Sequence, residues 1–190
     1  MPFETKFGGE YRRKLPHFRR ADAIYHVRFS THPTFGNLRE EWMFEVVEYS
    51  ILFAHKKTNL VYAYVIMPNH VHLALQPLPR SREWNAFCDY RQFHRLEAIT
   101  RVLKSYTANA INKKLGRSGH LWLEEPFDRI VRDQKDLDGL IDYIHRNPVR
   151  WQLVDRPEQY RWSSLATFYS GKEMYSGWFD LDFPRLDPGH

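Results

Sequence analysis

Two rhythms of apolar residues run along this chain. Short apolar or period-two runs mark strands, and spacings of three or four mark helices. Ile24-Tyr25-His26-Val27-Arg28-Phe29 has the β-branched and aromatic mix of a strand. Leu38 to Lys57 reads as a helix, with Leu38, Trp42, Val46, Tyr49 and Phe53 along one side. Leu60 to Met67 is a second strand, stopped by the turn signal Pro68-Asn69, and His70 to Leu75 is a third. Those two are expected to pair as a hairpin. Pro77 to about Arg82 is a loop, and Trp84 to Glu97 is ambiguous because its polar and apolar positions do not separate. Ala98 to about Lys114 is a clearer helix, with Leu103, Tyr106 or Thr107, Ala110 and Ile111 on one side, and Gly116-Arg117-Ser118-Gly119 breaks it. Phe127 to Val131 is a short strand. Leu137, Leu140, Ile141 and Ile144 form the stripe of a last helix, which Asn147-Pro148 brings towards its end. The order β-α-β-β-α-β-α predicts an α+β fold, a ferredoxin-like antiparallel sheet with helices packed on one face. One domain over residues 21–165 is expected, between a basic leader (1–20) and a C-terminal tail (166–190).

Composition narrows the function classes. At 190 residues and 43% hydrophobic, the chain can bury a core and is not of disordered type. Its net charge of +5 favours a polyanionic partner. The basic residues fall in short bursts, such as Tyr11-Arg12-Arg13-Lys14 and Lys113-Lys114 with Arg117. That spread suits a backbone-tracking surface better than a single basic tail, although each burst alone is what any solvated face shows. One cysteine, Cys88, excludes an internal disulfide and a cysteine metal cluster. No apolar run approaches the ~20 residues that span a bilayer, so a cytoplasmic protein, nucleoid-associated if it binds DNA, is the expectation.

The feature that carries chemistry is His70-Val71-His72. Side chains at i and i+2 of a strand leave the same face, so two neutral imidazoles would stand together as ligands for one metal while Val71 packs behind them. Taken alone, such a pair is more often a plain surface or packing pair than a pair of ligands. Tyr143 and Asn147, four residues apart on the last predicted helix, lie on one side of it, at the flank of its apolar stripe. From there they could reach the sheet; as plain structure, they are a packing tyrosine and the polar residue of an Asn-Pro turn.

At these residues the sequence resembles the HUH single-tyrosine transposases, and among them the branch of REP-associated tyrosine transposases. The matching stretches are Ala63–Pro77 (AYVIMPNHVHLALQP), Leu103–Gly119 (LKSYTANAINKKLGRSG), Glu124–Asp133 (EEPFDRIVRD), Tyr143–Val149 (YIHRNPV) and Arg161–Leu165 (RWSSL), with an opening Arg12–Phe18 (RRKLPHF) like the family's leader. The resemblance implies that His70 and His72 are metal ligands, Asn147 a polar third ligand, Tyr143 the nucleophile, and Mg²⁺ or Mn²⁺ the ion. It further implies single-stranded, hairpin-forming DNA (palindromic repeats) as partner, and cleavage and rejoining through a 5′-phosphotyrosine. The sequence departs from the pattern at Leu123, where relatives usually carry Gln, and at Trp151-Gln152, where small residues are common.

Candidate DNA contacts are Arg12, Arg13, Lys14, Lys104, Lys113, Lys114, Arg117 and Arg132, which would mainly hold phosphates. Tyr106, between Lys104 and Lys113, is the competing nucleophile. Two other readings stay open: a non-catalytic nucleic-acid-binding module of the same layout, and a metal-dependent hydrolase using a water nucleophile. A monomer or a homodimer fits either way.

Overall fold

The structure, a computed structural model, describes residues 23–80 and 93–169 of the chain. The basic leader with Arg12, Arg13 and Lys14, the single cysteine, most of the ambiguous stretch before Glu97 and most of the tail lie outside those residues. In chain order the elements are β1 (Tyr25–Ser30), α1 (Glu41–Ala54), β2 (Asn59–Ile66), β3 (His70–Pro77), α2 (Leu96–Lys114), β4 (Phe127–Ile130), α3 (Gln134–Arg150) and a short α4 (Ser164–Tyr169). The four strands form one antiparallel sheet in the order β2-β3-β1-β4. This is the expected α+β, ferredoxin-like arrangement.

The helices are distributed differently from the expectation of one covered face. Tyr25, Val27 and Phe29 of β1 and Val71, Leu73 and Leu75 of β3 point to a core shared with Met43, Phe44, Val47 and Ile51 of α1 and Leu103 and Ile111 of α2. The opposite face carries a second core, in which Ala63, Val65 and Ala74 meet Leu137, Leu140 and Ile144 of α3. The α1 and α2 helices thus cover one face, and α3 lies across the other. Buried on both sides, β2 and β3 read as nearly continuous apolar runs, with Ala63, Tyr64, Val65 and Ile66 sealed from solvent.

Local chemistry explains the element ends. Met67 N–H donates to the His70 carbonyl at 2.8 Å across the Pro68-Asn69 turn, so this tight hairpin fixes where β3 begins. The α2 helix ends on Gly116 at φ 62°; Gly116 N–H reaches the Lys113 carbonyl and Arg117 N–H the Asn112 carbonyl, the two bonds of a Schellman cap. At the start of α3 the Asp133 carboxylate accepts from Asp136 N–H at 2.7 Å. Its other end lies further on than Asn147-Pro148 suggested. Pro148 sits inside the helix, which continues to Arg150, because only the last turn is left to be disturbed by a missing N–H.

Candidate active site

On β1, period-two alternation sends His26, Arg28 and Ser30 to the face that α3 covers. The β1–β3 register sets Arg28 opposite His72, Ser30 opposite His70, and His26 opposite Ala74. Cross-strand partners share a face, so a patch of three imidazoles and a guanidinium forms beneath α3. The His70 and His72 rings stand perpendicular, with centroids 4.9 Å apart. His26 lies nearly parallel to His72 at 5.1 Å, and its Nε2 is 2.9 Å from His72 Nδ1. His70 Nδ1 is 2.6 Å from Asn69 Oδ1. An amide oxygen only accepts, so the His70 proton sits on Nδ1 and Nε2 is unprotonated.

The last helix brings in the rest. Asn147 is buried, in side-chain hydrogen-bonding contact with His70, and its amide donates to the Tyr143 carbonyl at 3.4 Å. The Tyr143 ring, 37% exposed, sits edge-on to His72 at 5.4 Å and to His26 at 6.1 Å. Trp151, which follows the helix, packs near His70 at 5.7 Å, so the unusual residue after the Asn-Pro turn becomes part of the rim. The other departure, Leu123, is an exposed side chain whose N–H donates to the Ser30 carbonyl. Tyr106, 48% exposed, is on α2, its ring 6.3 Å from Tyr49, and the sheet separates it from the histidine patch.

Electrostatics keeps the imidazoles neutral. Burial, then the neighbouring His70, His26 and Arg28, hold the His72 pKa down to about 2. Burial and then Arg28 hold His70 at about 4, against the Asn147 hydrogen bond that raises it. Burial, with Arg129 and Arg28, lowers His26 to about 4. Desolvation disfavours the imidazolium, which leaves the patch in the form that has lone pairs to offer. Among the described residues no three His, Cys, Asp or Glu side chains are grouped as a metal site. The Asn147 side chain is the polar group that α3 places against His70.

A cleft of about 650 Å³ opens beside Tyr143, lined by His26, Phe127, Arg129, Arg132 and Lys135 among others. Two of its cations are already paired: Arg129 grips Asp136 through both oxygens, at 2.9 and 3.1 Å, and Arg132 touches the same carboxylate at 3.4 Å. The remaining basic candidates lie elsewhere. Lys104 Nζ donates to the Leu123 and Glu124 carbonyls, both at 2.6 Å, and so ties α2 to the segment before β4. Lys113 is exposed on the last turn of α2. Lys114 stands over the Trp42 ring at 4.1 Å and Arg117 over Phe35 at 4.8 Å. A larger cleft, about 1000 Å³, lies between α2 and the approach to β4, with Glu97, Glu124, Glu125 and Asp128 against Arg101, Lys104 and Arg129. That mixture of signs makes a poor seat for a phosphate backbone.

His26 and Arg28 were missed by motif reading. The available signal was the alternation on β1, in which both are polar residues spaced two apart within an apolar run.

No protein-family model matches the chain. A Haemophilus influenzae protein described as a REP-associated tyrosine transposase is 26% identical over 103 residues, 54% of this chain and 57% of that protein. The chain therefore spans just over half the length of that relative. Among solved structures, a REP-associated tyrosine transposase bound to a REP hairpin superposes with a TM-score of 0.62 at 16% identity, over 84% of each chain. At that identity the match speaks for the fold. A transposase structure from Deinococcus radiodurans aligns with a TM-score of 0.42 at 16% identity, over 75% of this chain and 97% of that one, too loosely to carry weight. The branch named by the first two is the one that the co-linear sequence segments resemble.

Proposed function

We propose that this chain cleaves and rejoins hairpin-forming single-stranded DNA, with Tyr143 as nucleophile. The observation that carries the reading is the convergence on one sheet face of a buried, neutral His70–His72 pair, the Asn147 amide and the Tyr143 ring. The similarity to REP-associated tyrosine transposases supports it. In the proposed step the Tyr143 oxygen attacks phosphorus and loses its proton, and the bridging O3′ departs and takes one up. The products are a 5′-phosphotyrosine and a free 3′-hydroxyl, one ester exchanged for another, so the strand can be rejoined to a different end.

The residues fit a divalent cation. Two neutral imidazoles and one amide oxygen can hold a divalent ion and leave its charge uncancelled, and it is the family resemblance, not this ligand set, that points to Mg²⁺ or Mn²⁺. Held by His70, His72 and Asn147, the ion would supply charge to a non-bridging oxygen of the scissile phosphate. The chain's own residues do the rest. The α3 helix sets Tyr143 and Asn147 on one side of one helical turn. Arg28 and Arg150, the latter 5.3 Å from the Tyr143 ring centroid, put fixed positive charge where an anionic backbone arrives. Lys114 and Arg117, braced on aromatic rings, offer further phosphate contacts.

The deciding test is a denaturing gel with labelled single-stranded hairpins from the chain's own genomic neighbourhood, run with Mg²⁺, with Mn²⁺ and with chelator. A metal-dependent protein–DNA adduct is expected from the wild type and none from Tyr143→Phe, which should still bind the hairpin. An adduct that survives in Tyr143→Phe would assign the nucleophile elsewhere. Binding without an adduct in any condition would replace the reading with a non-catalytic DNA-binding role.

A further inference from the structure

We infer that His26 is a positioning residue for His72: its Nε2 accepts the Nδ1–H of His72, which leaves His72 Nε2 bare and aimed for the cation. The inference rests on the metal reading above and extends it to a residue on another strand. The two ring nitrogens are 2.9 Å apart, and both side chains are buried. Two bare nitrogens would repel at that distance, so one of them carries a proton. A neutral imidazole has a single N–H, and the choice therefore fixes both tautomers. If His26 donated, the His72 proton would lie on Nε2 and block that nitrogen as a ligand. If His72 donates, its Nε2 is free.

The neighbouring histidine settles which arrangement makes a site. His70 gives its Nδ1–H to Asn69 and keeps Nε2 unprotonated, so His72 in the same tautomer lets the pair present the same nitrogen. Metal-bound histidines generally donate their other N–H to an acceptor that holds ring orientation and tautomer. A carboxylate often fills that place. Here a neutral imidazole does, which adds no negative charge beneath a cation that must attract phosphate. The position of His26 is itself well fixed. It lies on β1 diagonal to His72 in the β1–β3 register, with ring contacts to Phe127 at 5.8 Å and Tyr143 at 6.1 Å.

The test is imidazole ¹⁵N NMR of the metal-free chain together with Mn²⁺ titration of wild type, His26→Leu and His26→Gln. The wild-type spectrum should show His72 protonated on Nδ1. His26→Leu should lose that single tautomer and weaken Mn²⁺ binding about 10–100-fold. His26→Gln, whose amide oxygen can take the place of Nε2, should restore both. A residue that merely fills space would not show rescue by a polar isostere. Protonation of His72 on Nε2 in the wild type overturns the inference, as does a His26→Leu chain with unchanged tautomer and Mn²⁺ affinity. Should His26→Leu fail to fold, the wild-type spectrum and His26→Gln still decide. A wild type that takes up no Mn²⁺ overturns the metal reading, and the spectrum alone then judges the tautomer.

Discussion

Arg28 is the one exposed side chain of a strand that is otherwise buried or half-buried, and it faces the histidine patch. Its guanidinium charge acts on both His70 and His72, where an incoming phosphate would meet it. Replacing it with Gln should flatten the salt dependence of hairpin binding, measured in the Tyr143→Phe background to prevent turnover. The slope of log K against log salt should fall by about 0.7–0.9, the share of one phosphate contact. An unchanged slope would remove Arg28 from the DNA interface. At this scale the sequence was readable in part. His70, His72, Tyr143 and Asn147 could be placed on shared faces because strand and helix periods are fixed by backbone geometry. His26 and Arg28 could not be joined to them, because periodicity along one strand says nothing about which strand lies beside it. The β1–β3 register supplies that link, over sequence separations of more than 40 residues.

Among the elements, the ends are set by a few residues whose effects can be measured one at a time. Gly116 holds a left-handed conformation, φ 62°, at the close of α2, with open space where a Cβ would go. Gly116→Ala should therefore cost about 1–2 kcal/mol from backbone strain rather than from a clash, read as a lower urea midpoint with an unchanged m-value. No loss of stability would mean that the Schellman cap is not formed in solution. Element order was legible from β1 to α3 but not for α4, and the buried side of α1 was not legible either. The spacing of Trp42, Val46, Tyr49 and Phe53 suggested a core stripe, but Tyr49 and Phe53 are exposed and Met43, Phe44, Val47 and Ile51 are buried. Two apolar stripes run along α1, and only the neighbour across the interface selects between them. The same cause hid the placement of α3: a stripe announces that a helix is covered, not which face of the sheet covers it.

For the whole molecule, the buried histidines make stability depend on pH. Burial holds both His55 and His145 at about 4; His55 Nδ1 accepts from Val61 N–H and His145 Nε2 contacts Ser164 Oγ. An imidazole with a folded pKa below its unfolded value of ~6.5 is protonated more readily in the unfolded chain. Stability is then complete above pH 6.5 and drains away as pH falls towards about 4. Urea midpoints in chelator should fall across that window, and less steeply in His145→Gln; a midpoint that ignores pH there would contradict this account. The bond from His145 to Ser164 has another consequence. β2 is one of the two outer strands of the sheet, and Ser163 bridges Val65, Ile66 N–H reaches the Trp162 carbonyl, and the Tyr160 hydroxyl donates to the Ile66 carbonyl. An unpaired strand edge is a template for other chains, so this short segment works as a guard against self-aggregation. It is fastened to the helix that bears Tyr143, and damage to it should show first as turbid, insoluble protein and only afterwards as lost turnover.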